Sequence, residues 1–368
     1  MVLDKTQCRQ SGKGRLQTGH ENPELKKGLS RNGEIMKKVL IITTGGTIAS
    51  EKTPHGLIPS LSSEQMLSFL PDVDRNCTLD TKAVCSIDST DMTPEVWMMI
   101  ADAVKESYDD YDGFVVLHGT DTMSYTAAAL SYLIQNSPKP IVLTGAQRPI
   151  GSEITDAKTN MRDSIMYAAD PYSSGVVVVF DGQIIAGTRA RKNRTYSFSA
   201  FSSINYPELG SIQDGKIIRY INNKYIGEPI FAEKLDNKVF HLKLSPGMSP
   251  VILEPIISSH EAVIVESFGV GGMPQYLADD FIRLLSEYEA NEKIIVLTTQ
   301  VTYEGSNIDV YEVGQRIKEH VPVLEARDMT HEAVLTKLMW ILAMDPRPSF
   351  ERICELFYKQ INYDTMLG

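Results

Sequence analysis

Two short segments of the sequence place a threonine hydroxyl beside glycine, namely TGGT at 44–47 and HGTD at 118–121. Glycine lets a ligand approach the backbone and leaves N–H donors accessible. A threonine hydroxyl becomes a nucleophile when a neighbouring base activates it. Each segment taken alone also has an ordinary interpretation, because TGGT suits a tight turn or a phosphate-binding turn and Asp121 suits a helix cap. The first segment lacks the spacing of a P-loop or a dinucleotide-binding turn.

Both segments follow short apolar runs that predict buried strands. Four such runs are VLIITT (39–44), GFVVLH (113–118), PIVLTG (140–145) and GVVVVF (175–180). Helical spacing over 94–107, 122–136 and 155–169 separates them, and Thr93 followed by Pro94 is a typical helix start. This alternation predicts βαβ units and a parallel sheet. Ligands bind beyond the carboxyl ends of such strands, where both threonine segments lie.

The pattern predicts two α/β domains in series. Residues 211–237 are rich in Gly, Asn and Lys and interrupt the alternation, which resumes with HLKL (241–244), EAVIVES (261–267) and KIIVLTT (293–299). We therefore expect a larger N-terminal parallel-sheet domain, a connection and a smaller C-terminal Rossmann-like domain. Their predicted limits are residues 36–220, 221–237 and 238–368.

Residues 1–35 differ from the rest of the chain. They carry seven Lys/Arg against four Asp/Glu and contain no aromatic residue. Such a segment has too little apolar surface to offset its ordering entropy, so we expect a disordered tail. Met36, directly before the first apolar run, is a natural point for the folded part to begin.

Composition argues against several classes of partner. The net charge of −11 disfavours a nucleic-acid partner, and no run of 18 apolar residues or leader segment predicts a membrane or secretion. The expected location is the cytoplasm. A disulfide between Cys77 and Cys85 is one alternative, but free thiols in a reducing compartment are the preferred interpretation. No Cys or His spacing indicates zinc, so neither a metal nor a cofactor is expected.

The two threonine segments belong to a longer series of recognisable motifs. TTGGTIAS (43–50) and HGTDTMSYTAAAL (118–130) resemble the signature motifs of the bacterial-type asparaginase/glutaminase family. The resemblance continues, in order, to the end of the chain and is greatest to the cytoplasmic type I branch. The further matching segments are SIDSTDMTPEVW (86–97), IVLTGAQRP (141–149), TRARKNRT (188–195), ESFGVGGMP (266–274) and DMTHEAVLTKLMW (328–340).

The resemblance implies an L-asparaginase that converts L-asparagine to L-aspartate and ammonia and needs no cofactor. It implies that Thr47 is the nucleophile that forms an acyl-enzyme, with Thr120, Asp121 and Lys192 as a second catalytic cluster. A homodimer or homotetramer is expected. The implied substrate-binding residues are Asp88, Ser89, Thr90, Thr120 and Asp121.

Three positions depart from the family pattern, and two other functions compete with hydrolysis. Leu57 replaces a loop tyrosine that is assigned a part in activating the nucleophile, and Gly272 replaces an asparagine near the substrate amine. Val301 replaces a cysteine of allosteric members, so cooperative regulation is not expected. The alternatives are the asparaginase-like subunit of an archaeal tRNA-dependent amidotransferase and a non-catalytic amino-acid-binding protein. Without the resemblance, Lys192 in RARKNR would be a solvated basic residue.

Overall fold

The computed structural model describes residues 36–53, 56–59, 63–69, 77–222, 224–288, 292–344 and 348–366. The predicted tail, residues 1–35, lies outside the described residues. Leu57 lies in a described strand, but its side chain is outside what the structure describes.

Strands and helices alternate along most of the described chain. The strands are Lys37–Gly45 (β1), Ser50–Thr53 (β2), Gly56–Pro59 (β3), Cys77–Ile87 (β4), Gly113–Leu117 (β5), Ile134–Gln135 (β6), Pro140–Thr144 (β7), Gly175–Phe180 (β8), Gln183–Ala186 (β9), Ala190–Lys192 (β10), Phe201–Ser203 (β11), Gly210–Gln213 (β12), Lys216–Arg219 (β13), Ile230–Phe231 (β14), Val239–Lys243 (β15), Ala262–Ser267 (β16), Ile294–Thr299 (β17) and Leu324–Glu325 (β18). The α-helices are Ser63–Ser68 (α1), Pro94–Glu106 (α2), Met123–Leu133 (α3), Ala157–Ala169 (α4), Leu253–Ser259 (α5), Gln275–Leu285 (α6), Glu312–His320 (α7), His331–Met344 (α8) and Phe350–Tyr358 (α9).

The larger sheet has the strand order β13-β12-β9-β8-β7-β5-β1-β4. The five strands from β8 to β4 are parallel, whereas β9, β12 and β13 add an antiparallel extension. β5, β7 and β8 are buried along their whole length, as is typical of parallel strands covered by helices on both faces. The expected larger parallel-sheet domain is thereby confirmed in its central strands.

The two faces of this sheet are covered by different helices, because successive side chains of a strand point to opposite sides. Leu40 and Ile42 of β1 belong to one apolar cluster with residues of α2, α3 and α8. Val39 and Ile41 belong to a second cluster with residues of α4. This double coverage leaves the carboxyl ends of the parallel strands as the place where polar loops can meet.

The smaller sheet consists of the parallel strands β15-β16-β17-β18. Its outer face packs with α5, α6 and α7, and α8 contacts both this sheet and α3 of the larger one. The smaller C-terminal Rossmann-like α/β unit that the sequence predicts is confirmed. Within the described residues no helix is long and apolar enough to cross a membrane.

Local signals locate each predicted strand and helix to within two or three residues. The predicted helix at 94–107 is α2, with Thr93 at the N-cap position and Pro94 in the first turn. Among the described residues Cys77, Cys85 and Cys354 form no disulfide, so the alternative of a bond between Cys77 and Cys85 is not realised.

The segment that interrupts the strand–helix alternation begins with a β-hairpin. Within 211–237, β12 and β13 form a hairpin on the edge of the larger sheet. Asp214 and Gly215 make its turn with φ of 48° and 67°, the left-handed pair that a two-residue hairpin requires. Its polar composition fits the edge of a sheet, where one side of a hairpin is exposed, and the hairpin ends before the predicted connection at 221–237.

Candidate active site

The candidate site is built from loops at the carboxyl ends of β1, β4, β5 and β7, which are consecutive in the sheet in the order β7-β5-β1-β4. A side chain on Gly46 would lie 2.5 Å from the backbone nitrogen of Gly119. A side chain on Gly119 would in turn lie 2.5 Å from Oγ of Ser89. The absence of side chains at these two positions therefore brings the loops after β1, β4 and β5 into direct contact.

Backbone conformation explains why glycine precedes Thr47. Gly45 and Gly46 have φ of 103° and 82°, which residues with a side chain rarely adopt. A side chain on Gly45 would also meet the carbonyl oxygen of Ile87 at 2.5 Å. Thr47 then begins a 3₁₀ turn, Thr47–Ala49, and its side chain is half-buried. The predicted nucleophile thus follows a sharp turn at the end of a buried strand.

Lys192 joins two of the predicted catalytic residues. Its Nζ donates to Oγ1 of Thr120 at 2.9 Å and to Oδ1 of Asp121 at 2.5 Å. Lys192 ends β10, whose antiparallel pairing with β11 carries it back to the loop after β5. The Lys192 side chain is 15% exposed and that of Asp121 is 60% exposed, so the cluster opens to solvent on its Asp121 side.

Gln147, at the end of β7, supports this cluster and was not predicted from the sequence. Oγ1 of Thr120 donates to Oε1 of Gln147 at 3.2 Å. Nε2 of Gln147 lies 3.1 Å from the carbonyl of Ser197 and 3.3 Å from that of Thr195. Gln147 therefore orients the Thr120 hydroxyl and ties it to the β10–β11 connection. The available signal was its position in IVLTGAQRP, directly after a strand that neighbours β5.

In the predicted substrate-binding loop after β4, the hydroxyls of Ser89 and Thr90 differ in their hydrogen bonding. Asp88 caps a 3₁₀ turn by accepting from the backbone nitrogen of Thr90 at 2.9 Å and from its Oγ1 at 2.8 Å. These two hydrogen bonds lower the pKa of Asp88 below its ordinary value. Ser89 is buried, and its hydroxyl has no hydrogen-bond partner among the described residues. Ser89 thus keeps a donor for a ligand, whereas Thr90 donates to Asp88.

The predicted residues are not all linked to one another. Thr120, Asp121 and Lys192 are hydrogen-bonded, and Ser89 is adjacent to them through Gly119. No hydrogen bond among these described residues joins the Thr47 hydroxyl to that cluster. Thr47 is connected to it through the backbone contact between Gly46 and Gly119.

Comparison with known proteins matches both halves of the chain to one family. Residues 38–225 match the model "Asparaginase, N-terminal" and residues 238–357 match "Glutaminase/Asparaginase C-terminal domain". The chain belongs to the asparaginase/glutaminase family. It is therefore an amidohydrolase, and the resemblance inferred from the motifs is confirmed.

Three relatives show how far the likeness to members of the asparaginase family extends. The L-asparaginase of Thermococcus kodakarensis is 41% identical over 308 residues, covering 83% of this chain and 92% of that protein. Its solved structure superposes with a TM-score of 0.83 at 38% identity over 90% of this chain and all of that one. L-asparaginase I of Vibrio cholerae gives 0.79 at 30% identity, with coverage of 90% and 100%. A glutamyl-tRNA(Gln) amidotransferase subunit of Metallosphaera sedula is 35% identical over 320 residues, covering 83% of this chain and 72% of that protein.

His118 has a supporting position in this asparaginase-family site. Its Nδ1 donates to the carbonyl of Gly119 at 2.7 Å, so its Nε2 accepts from Oγ1 of Thr126 at 2.8 Å. That hydroxyl oxygen accepts from Nε1 of Trp97 at 2.9 Å. Burial, opposed by the Gly119 carbonyl, lowers the pKa of His118 from 6.5 to about 4. The ring is neutral near pH 7 and holds the Gly119 backbone in place.

Proposed function

We propose that this amidohydrolase hydrolyses L-asparagine to L-aspartate and ammonia. The observation that carries the proposal is the hydrogen-bonded group of Lys192, Thr120 and Asp121, which lies at the carboxyl edge of the sheet beside the turn that bears Thr47. Among the relatives named above, those matched by this chain over more than nine-tenths of their own length are L-asparaginases. We infer the substrate and the reaction from this similarity together with the geometry of the site.

Thr47 is the proposed nucleophile. In the first half-reaction its Oγ1 bonds to the side-chain amide carbon of asparagine, the C–N bond breaks, and the nitrogen leaves as ammonia after taking up the hydroxyl proton. In the second half-reaction water adds to the acyl carbon and the bond to Oγ1 breaks. Thr47 regains a proton and L-aspartate is released. Splitting the hydrolysis in this way replaces one difficult step by two easier ones.

Lys192 and Thr120 form the proposed proton relay for these steps. The Thr120 oxygen accepts from Lys192 while its hydrogen is directed to Gln147, so its lone pair and hydrogen already have defined directions. A general acid–base group must lie within hydrogen-bonding reach of the proton that moves, and this arrangement can pass protons without rearranging the backbone. Asp121 keeps the Lys192 ammonium in place from the solvent side.

The loops after β4 and β5 supply the proposed contacts to the α-amino and α-carboxylate groups. The unengaged hydroxyl of Ser89 and the turn formed by Asp88 and Thr90 are assigned to the carboxylate. The exposed carboxylate of Asp121 is assigned to the ammonium, which needs one acidic contact. Thr120 lies between these two groups of contacts.

We extend the proposal to the organisation of the chain. Residues 36–220 are assigned to the catalytic domain, 221–237 to the connection and 238–368 to the C-terminal domain. A homodimer or homotetramer is proposed, acting on a small molecule without a nucleic-acid or membrane partner. That the described cysteines form no disulfide supports a reducing compartment such as the cytoplasm.

The test is ammonia release from L-asparagine by the full chain and by Thr47→Ala, with Thr78→Ala as the matched control. Thr78 is an exposed threonine of β4, so the same chemical change there should leave turnover at the wild-type level. Thr47→Ala should release no ammonia while keeping the wild-type melting temperature, and Thr47→Ser should keep part of the activity. Near-normal turnover by a folded Thr47→Ala protein would remove Thr47 from its role.

The same assay separates hydrolysis from the competing functions. A free enzyme should release ammonia from L-asparagine without any RNA, and the chain is more similar to the T. kodakarensis L-asparaginase (41%) than to the M. sedula amidotransferase subunit (35%). Its net charge of −11 also disfavours tRNA. Ammonia release that requires tRNA would favour the amidotransferase function, and binding without release would favour an amino-acid-binding protein.

A further inference from the structure

Three side chains with metal-ligating atoms converge on the smaller sheet, away from the site described above. They are His241 of β15, Glu266 of β16 and His331, the first residue of α8. Their ligand atoms all lie within 4.8 Å of one another, and Glu266 and His331 are buried. The parallel register aligns Lys243 with Glu266, so alternate residues of both strands, His241 included, face α8.

The hydrogen bonds at His331 show which atom is available to a ligand. Nε2 of His331 lies 2.8 Å from the carbonyl oxygen of Thr299, which can only accept, so Nε2 carries the hydrogen. In the neutral ring Nδ1 then presents a lone pair, and it faces Oε1 of Glu266 at 3.2 Å. Metal-binding histidines commonly donate their second N–H to a carbonyl in this way.

The second histidine meets the same carboxylate oxygen. Nε2 of His241 lies 2.7 Å from Oε1 of Glu266, yet this buried atom makes no hydrogen bond within the described residues. Two ring nitrogens and one carboxylate oxygen thus face a common point. A cation bound between them would have all three atoms as ligands.

We propose that His241, Glu266 and His331 bind a divalent transition-metal ion of the Zn²⁺ type. Two imidazoles and one carboxylate suit Zn²⁺, whereas Mg²⁺ and Ca²⁺ prefer oxygen ligands. Zinc–ligand bonds of about 2.1 Å place tetrahedral ligand atoms about 3.4 Å apart, which small side-chain movements reach from the spacing here. Glu332 is buried next to His331, with Oε2 unpartnered among the described residues and Oε1 at 3.9 Å from Nε of Arg191.

This site would fasten α8 to β15 and β16 and does not depend on the proposed hydrolysis. The sequence gives no indication of it, because its ligands come from three separate elements and no short spacing repeats a zinc motif. Loss of this site is therefore expected to change the metal content and the thermal stability of the protein. These two quantities, and not the turnover of asparagine, are measured in the test.

The test uses the full chain after chelation and dialysis, titrated with Zn²⁺ by calorimetry. One Zn²⁺ per chain is expected, with a higher melting temperature in Zn²⁺ than in chelator. His241→Gln should weaken binding by more than roughly 100-fold, the upper range for loss of an outer-shell partner. The control His320→Gln removes an exposed histidine of α7 and should bind as the wild type does.

A spectroscopic arm distinguishes this site from surface binding. Co²⁺ should give the d–d absorption of a low-symmetry nitrogen and oxygen site in the wild type and His320→Gln, and should lose it in His241→Gln. Because buried His331 is sensitive to folding, the half-buried His241 carries the test. No Zn²⁺ binding by the wild type would overturn the proposal and leave an imidazolium–carboxylate ion pair as the explanation. Equal Zn²⁺ binding in all variants would also overturn it.

Discussion

Two groups that each combine a lysine, an aspartate and a side-chain hydroxyl differ in their exposure to solvent. In the candidate site, Lys192 bonds to Asp121 at 2.5 Å and to the Thr120 hydroxyl at 2.9 Å. Beneath α8, Lys337 bonds to Asp364 at 2.6 Å, and the Tyr132 hydroxyl donates to the same carboxylate at 2.9 Å. Asp121 is 60% exposed, whereas Lys337 and Asp364 are both 0% exposed.

The two groups differ in burial, and this difference changes how their charges are stabilised. In the buried group Lys337 also donates to the carbonyl of Lys359 at 2.8 Å, and Asp364 accepts from the backbone of Ile361. Burial lowers the pKa of Lys337 and raises that of Tyr132, so charge there is costly and depends on its partners. The exposed group is open to solvent on its Asp121 side. Composition alone therefore does not separate the proposed catalytic lysine, Lys192, from the buried Lys337, whereas their exposure to solvent does.

The largest expected effect comes from breaking the buried pair. Lys337→Met leaves the Asp364 carboxylate buried without its cation, so the free energy of unfolding should fall by about 3–5 kcal/mol. Turnover per folded molecule should stay near the wild-type value. Denaturant unfolding followed by a kinetic assay measures both. The double variant Lys337→Met/Asp364→Leu removes both charges and should recover part of the loss; equal loss in the double and single variants would contradict a charge-pair explanation.

A smaller effect is expected from His118, which is buried although it adjoins the candidate site. Its pKa of about 4 in the folded state lies below the ordinary 6.5, so the unfolded chain takes up a proton first as the pH falls. The stability linked to His118 is complete above about pH 6.5 and is lost as the pH falls toward 4. The gap corresponds to about 3 kcal/mol. Unfolding measured across this range should show a flatter pH dependence in His118→Asn, while His320→Gln keeps the wild-type slope.

Breaking the exposed pair should change catalysis and spare the fold. Lys192→Met should lower kcat by roughly 100-fold, about 2.7 kcal/mol of barrier, because a general acid–base group is lost. Its melting temperature should remain near that of the wild type, since the partner Asp121 stays solvated. Steady-state kinetics with L-asparagine measure the effect. A variant that changed KM alone would make Lys192 a binding residue and weaken the contrast with Lys337.

The smallest effect is expected at Gln147, which orients the Thr120 hydroxyl. Gln147→Leu removes one neutral hydrogen bond to Thr120, so kcat should fall by up to about tenfold, consistent with about 0.5–1.5 kcal/mol. KM for L-asparagine should change less than kcat. Gln147→Glu restores an acceptor for the hydroxyl and should recover part of the rate. Identical losses in both variants would indicate that the bonds from Gln147 to the carbonyls of Thr195 and Ser197 matter more.

The sequence by itself determined the central strands of both sheets, the helices α2, α3 and α4, and the loops that carry Thr47 and Thr120. These features depend on local patterns: apolar runs of strand length, helical periodicity, and glycine where the backbone turns sharply. Gly45 and Gly46 show the reason, because their positive φ values are a local requirement that few other residues meet. The ordered series of motifs also identified the family before any distance was known.

Only the tertiary structure decided which distant side chains meet. Gln147 contacts Thr120 because β5 and β7 are neighbours, and Lys192 reaches the same hydroxyl because β10 pairs with β11. Nothing in the sequence around Lys337 distinguishes it from an exposed helix residue. Packing of α8 under the C-terminal segment nevertheless buries it completely against Asp364. Such contacts depend on packing between elements far apart in the chain, and local periodicity carries no information about which elements will pack together.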